Sequence, residues 1–95
     1  MQRETLLAML QRAPGAQLEG DRFKVKEDHA LTVYLGQPGR AVAIDHVLSI
    51  TLTDSHVEIE ARDRGTFYAA YEAIHALLDA PRKKEGRGSG GGVGF

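Results

Sequence analysis

The chain has no cysteine, which excludes a disulfide framework, a thiol nucleophile and a thiolate metal site. It also lacks any long apolar run. Leu6-Leu7-Ala8-Met9-Leu10 is too short for a secretory core and ends at Gln11-Arg12. Nothing approaches the ~20 apolar residues of a membrane helix. A soluble, cytoplasmic protein without a membrane partner is expected. Strong net charge is absent too. Twelve Lys plus Arg stand against 13 Asp plus Glu, so a strongly basic nucleic-acid binder is not the default. Ninety-five residues make one small domain, which excludes a large enzyme carrying its own cofactor domain.

What charge there is lies unevenly. Residues 1–30 are balanced, residues 31–81 carry three basic and seven acidic groups, and residues 82–95 carry four basic groups against Glu85. An acidic body therefore meets a basic tail. Six of the ten residues from Gly86 to Phe95 are Gly. Such a segment buries too little apolar surface to offset its ordering entropy, so a flexible tail over 82–95 and a domain over 1–81 are expected. The basic cluster Arg82, Lys83, Lys84 and Arg87 reads either as a solvated linker or as a phosphate contact that ignores sequence and weakens with salt. Phe95 is either a frayed end or the anchor of a short docking peptide.

Periodicity places a helix over 3–13, where Leu6, Met9, Leu10 and Ala13 share one face and Pro14-Gly15 stops the chain. From 22 to 79 the chain reads as β-rich. Phe23–Lys26 alternates, and so do Leu31, Val33 and Leu35. Residues 40–53 form one long strand, or two with a bend near Asp45-His46-Val47. Asp54-Ser55 is a two-residue turn, and Val57, Ile59 and Ala61 then alternate with His56, Glu58 and Glu60. Residues 66–79 remain open between a helix with a Phe67, Ala70, Tyr71, Ile74, Leu77, Leu78 stripe and two strands. Residues 42–50 and 69–77 resemble each other position by position, so two strands with a break in one suggest the same in the other.

Several constellations invite chemistry. Asp54-Ser55-His56 has the residue types of a triad, but adjacent residues at a tight turn are expected to diverge. His56, Glu58 and Glu60 share a strand face, where an outward polar surface explains them better than a metal site. The C-terminal glycines follow no strand and open no helix, so they are no phosphate loop. Tyr34 and Tyr68 fall on outward faces, either to stack on a partner or to pack over the sheet.

The order of helix and strands resembles the Sm-like barrel, in particular its bacterial Hfq branch. Leu31–Leu35 looks like that family's first strand. Leu48–Val57 looks like its second strand, aspartate turn and third strand, and Phe67–Leu78 like its closing strand pair. The resemblance implies a small barrel, a homo-oligomeric ring and RNA as a ligand. Where the family carries a Tyr-Lys-His triplet that binds uridines, this chain has Tyr71-Glu72-Ala73. The cation and the imidazole are missing, and an acidic group stands where phosphate would pass.

The expectation is thus a mainly β protein: a small antiparallel barrel with an N-terminal helix and a flexible Gly-rich tail. The alternative is an α+β fold, pleckstrin-homology-like, in which helix 66–79 closes an antiparallel sheet. The expected function is a non-catalytic protein-interaction or scaffold module, self-associating, with no cofactor and no metal. An RNA-binding ring is the alternative. The expected binding residues are Tyr34, Tyr68, Tyr71, Arg82, Lys83, Lys84, Arg87 and Phe95.

Overall fold

A computed structural model describes residues 1–37 and 39–82. The expected tail, with Lys83, Lys84, Arg87 and Phe95, lies outside the described residues. The elements are α1 (Arg3–Arg12), β1 (Ala16–Glu19), β2 (Arg22–Val25), β3 (His29–Leu35), β4 (Val42–Ile44), β5 (Val47–Leu52), β6 (Val57–Ala61), β7 (Gly65–Ala69), a 3-10 turn (Tyr71–Ala73) and β8 (Ile74–Pro81).

All pairings are antiparallel. The larger sheet has the order β1-β2-β5-β6-β7 and the smaller has β4-β3-β8. These strands do not close into a barrel among the described residues, so the barrel expectation becomes two sheets around one core. The chain changes sheet three times, from β2 to β3, from β4 to β5 and from β7 to β8. The last two changes fall in the two self-similar segments. One is made at Asp45-His46, where His46 adopts φ 57. The other is made by the 3-10 turn.

Pairing explains why residues 66–79 are strands despite their helical stripe. Asp63 (φ 62) and Gly65 (φ 94) turn the chain back onto β6, so Phe67 faces Ile59. β8 then runs along β3 from His29↔Pro81 to Leu35↔Ile74. A helix here would leave the backbone groups of β6 and β3 without these partners. The α+β alternative is therefore excluded by the long-range ladder, which outweighs local propensity.

One row of the core runs Phe23–Ile50–Ile59–Phe67 across the larger sheet. Leu31, Val33, Ile44 and Ile74 supply the smaller sheet's share, and Leu6 and Leu10 of α1 belong to the same buried cluster. Leu6 and Leu10 are fully buried, which contributes about 1.5–3 kcal/mol each. β5 departs from simple alternation. A bulge between Val47 and Ser49 lets both Val47 and Ile50 point inward and leaves Leu48 half-buried.

The sequence reading omitted β1. Its side chains are exposed or half-buried, so it carries no alternating apolar signal, and only the Gly20-Asp21 connection (Gly20 φ 68) marks the hairpin.

α1 stops at Ala13, held extended by the following proline (φ −74, ψ 120). Gly15 then passes close to β8. Its N–H donates to Asp79 Oδ2 at 2.9 Å, and His29 Nδ1 lies 2.8 Å from Asp79 Oδ1. A Cβ on Gly15 would stand 2.6 Å from both Asp79 Oδ1 and His29 Cβ. In urea unfolding, Leu10→Ala is expected to lower stability by about 2–5 kcal/mol. Gly15→Ala is expected to lower it by about 1–3 kcal/mol through overpacking. Wild-type stability in Gly15→Ala would contradict the close approach.

Candidate functional site

A polar groove of about 860 Å³ lies on the outer side of the larger sheet. The β1–β2 hairpin forms one wall, the start of β5 the floor, and the first residues of β3 the far side. Its cations are Arg22 and Lys24 of β2, Lys26 beyond it, Arg62 after β6 and Arg82 after β8. Its carboxylates are Glu19, Glu27 and Glu60.

Strand geometry places these groups. Phe23 faces inward, so Arg22 and Lys24 face outward. Lys24 stands opposite Gln17 and Ser49, and Ser49 stands opposite Glu60. Ser49 Oγ donates to Glu60 Oε1 at 3.1 Å. The positive φ at His46 lifts the start of β5 and brings His46 and Leu48 into the lining. The backbone N–H of Arg82 donates to Asp28 O at 2.8 Å, which holds Arg82 at the groove's rim.

A second polar cluster surrounds the β5–β6 turn. Thr53 Oγ1 accepts from the N–H groups of Ser55 and His56 and donates to His56 O at 2.7 Å. His56 Nδ1 lies 3.1 Å from both Thr53 Oγ1 and Ser55 Oγ, and Nε2 lies 2.9 Å from Glu58 Oε2. The expectation that Ser55 and His56 diverge is therefore corrected: they meet, and Glu58 rather than Asp54 stands behind the imidazole. The turn's own hydroxyl, Thr53, shares the same ring nitrogen, so the contact is part of the turn's hydrogen bonding. The cluster lies outside the groove.

The tyrosines divide. Tyr68 is 69% exposed on β7, with its ring 6.0 Å from that of His56. Tyr34 is half-buried between Ala43 and Ala76 on neighbouring strands. Tyr71 is buried, and its hydroxyl donates to Thr53 O, so it ties the 3-10 turn to the end of β5. Of the expected residues that the structure describes, Tyr34, Tyr68, Tyr71 and Arg82, only Arg82 lines the groove.

The sequence reading missed Arg22, Lys24, Lys26 and Arg62. Their signal was the alternation of basic and apolar residues in Arg22-Phe23-Lys24-Val25-Lys26. Its apolar members point only to burial, and a regional charge sum cancels its cations against Glu4, Glu19, Asp21, Glu27 and Asp28.

No family model, curated protein or solved structure matches the chain. Among the described residues no helix is long and apolar enough to cross a membrane.

The two aromatic environments make opposite demands on stability. Tyr71→Phe is expected to cost about 0.5–1.5 kcal/mol in urea unfolding, through the lost bond to Thr53 O. Tyr68→Ala is expected to stay within about 0.5 kcal/mol of wild type in solutions dilute enough to hold single chains. The reverse order would contradict these placements.

Proposed function

We propose that the chain is a non-catalytic interaction module that assembles with copies of itself through the open edges of β7 and β8. The observation that carries this reading is how little guards those edges. β7, Gly65-Thr66-Phe67-Tyr68-Ala69, has no charged residue and no proline, and among the described residues it pairs only with β6. β8 is eight residues long, among the described residues pairs only with β3, and has its proline, Pro81, at the last position alone. Its one carboxylate, Asp79, is occupied by Gly15 and His29. Lysines, prolines and very short strands are the usual protections of an exposed edge. β4 has the last of these, with three residues, and β1 ends on Glu19. Each edge strand also carries one exposed apolar side chain, Tyr68 on β7 and Leu78 on β8 as well as Leu18 on β1 and Val42 on β4.

The two edges differ, so pairing β7 of one copy with β8 of the next is head-to-tail. Such contacts close into a ring when the rotation between copies allows. In this reading the two sheets act as a small barrel left open between β7 and β8, with the neighbouring copy covering the gap. The resemblance to Sm-like proteins supports the same assembly. The C-terminal segment ending in Phe95 is, in this proposal, a second contact to a partner.

Light scattering on the full chain is expected to give a multiple of the 10.3 kDa chain mass. Tyr68→Lys combined with Leu78→Lys is expected to return it to one chain. A wild-type protein that stays at 10.3 kDa at high concentration would defeat the proposal.

A further inference from the structure

The groove collects charge that the rest of the body lacks. Five of the nine described Lys and Arg side chains line it, against three of the twelve described Asp and Glu, so it is a positive recess on a negative body. Its cations also form no ion pair among the described residues: every ion pair within 4.0 Å there involves His29 or His56, and none involves Arg22, Lys24, Lys26, Arg62 or Arg82. A recess of one sign with low-dielectric walls concentrates the opposite charge.

We propose that this groove docks an acidic, extended peptide segment of a partner protein. The inference rests on reading the chain as an interaction module, but not on its self-assembly, because no lining residue lies on β7 or β8. Three features select a peptide over a nucleic-acid strand. First, Glu19, Glu27 and Glu60 stand among the cations. A continuous phosphate track would be repelled by them, whereas a peptide carries backbone N–H donors that satisfy carboxylates. Second, no Phe, Tyr or Trp lines the groove, and its only rings are the imidazoles of His29 and His46, so it lacks the large aromatic platform on which successive unpaired bases stack. Third, three of the five cations are Arg, whose planar fork binds carboxylates through two parallel hydrogen bonds.

The test is fluorescence anisotropy with the full chain and three labelled probes. These are a short peptide of alternating Glu and Ser, the same peptide with Gln for Glu, and an oligouridylate of similar length. The Glu peptide is expected to bind, more weakly at higher salt, and the Gln peptide and oligouridylate to bind at least about tenfold more weakly. Removing the groove's charge in Arg22→Gln/Lys24→Gln/Arg62→Gln is expected to weaken the Glu peptide about tenfold or more. Removing equal charge elsewhere, in Arg3→Gln/Arg12→Gln/Arg40→Gln, is expected to change it less than about twofold. Circular dichroism and solution mass establish that both variants fold and assemble as wild type does. Equal binding of the Glu and Gln peptides, or undiminished binding by the groove variant, overturns the proposal. Tighter binding of the oligouridylate that is lost in the groove variant also overturns it and assigns the groove to nucleic acid. A wild-type chain that is monomeric yet binds the Glu peptide leaves this proposal standing and removes only the self-assembly.

Discussion

The structure depends on one backbone constraint, the break in the ribbon Val42–Leu52 at Asp45-His46. Before the break the ribbon pairs with β3, and after it with β2 and β6. A straight strand has one pair of neighbours and would hold both halves in a single sheet. The left-handed conformation of His46 redirects the chain. Thr32 Oγ1, donating to Asp45 Oδ1 at 3.2 Å, ties the break to the centre of the smaller sheet. Ile44 and Val47, on either side of the break, are both buried, so one short stretch feeds both halves of the core. The bulge that follows resets the side-chain parity so that Ile50 and Leu52 point inward as well.

The same break shapes the charged surface. It raises His46 and the start of β5 beside the β1–β2 hairpin, and the recess between them becomes the groove. Four of its cations come from segments far apart in the chain: Arg22 and Lys24 from the hairpin, Arg62 from the turn after β6, and Arg82 from beyond β8. Arg62 is brought there by the break itself, because its N–H donates to His46 O at 2.9 Å. Fold and electrostatics are thus two consequences of one conformational choice.

Much of the architecture was legible in the residues. Pro14-Gly15 marked the end of the helix, and Asp54-Ser55 marked the hairpin between β5 and β6. The alternation of Val57, Ile59 and Ala61 with Glu58 and Glu60 identified the buried face of β6. The break at Asp45-His46 was visible as a fault in alternation, although its left-handed geometry was not. Residues 66–79 stayed ambiguous because Phe67, Tyr71, Ile74 and Leu78 satisfy a helical period, while the edges that make them strands lie on β6 and β3. β1 was hidden because a strand without a buried face leaves no periodic trace. The groove was hidden for a related reason. A charged surface assembled from segments up to sixty residues apart, Arg22 to Arg82, cannot be seen in a running charge sum.

The break is tested most directly by the sign of two substitutions at His46, whose side chain is exposed. A left-handed residue favours glycine and penalises a β-branched side chain, whereas a residue in a continuous strand does the opposite. Urea unfolding is expected to find His46→Gly at least as stable as wild type and His46→Val less stable by about 1–2 kcal/mol. If His46→Val were the more stable of the two, the ribbon would be straight and the two-sheet account would fail.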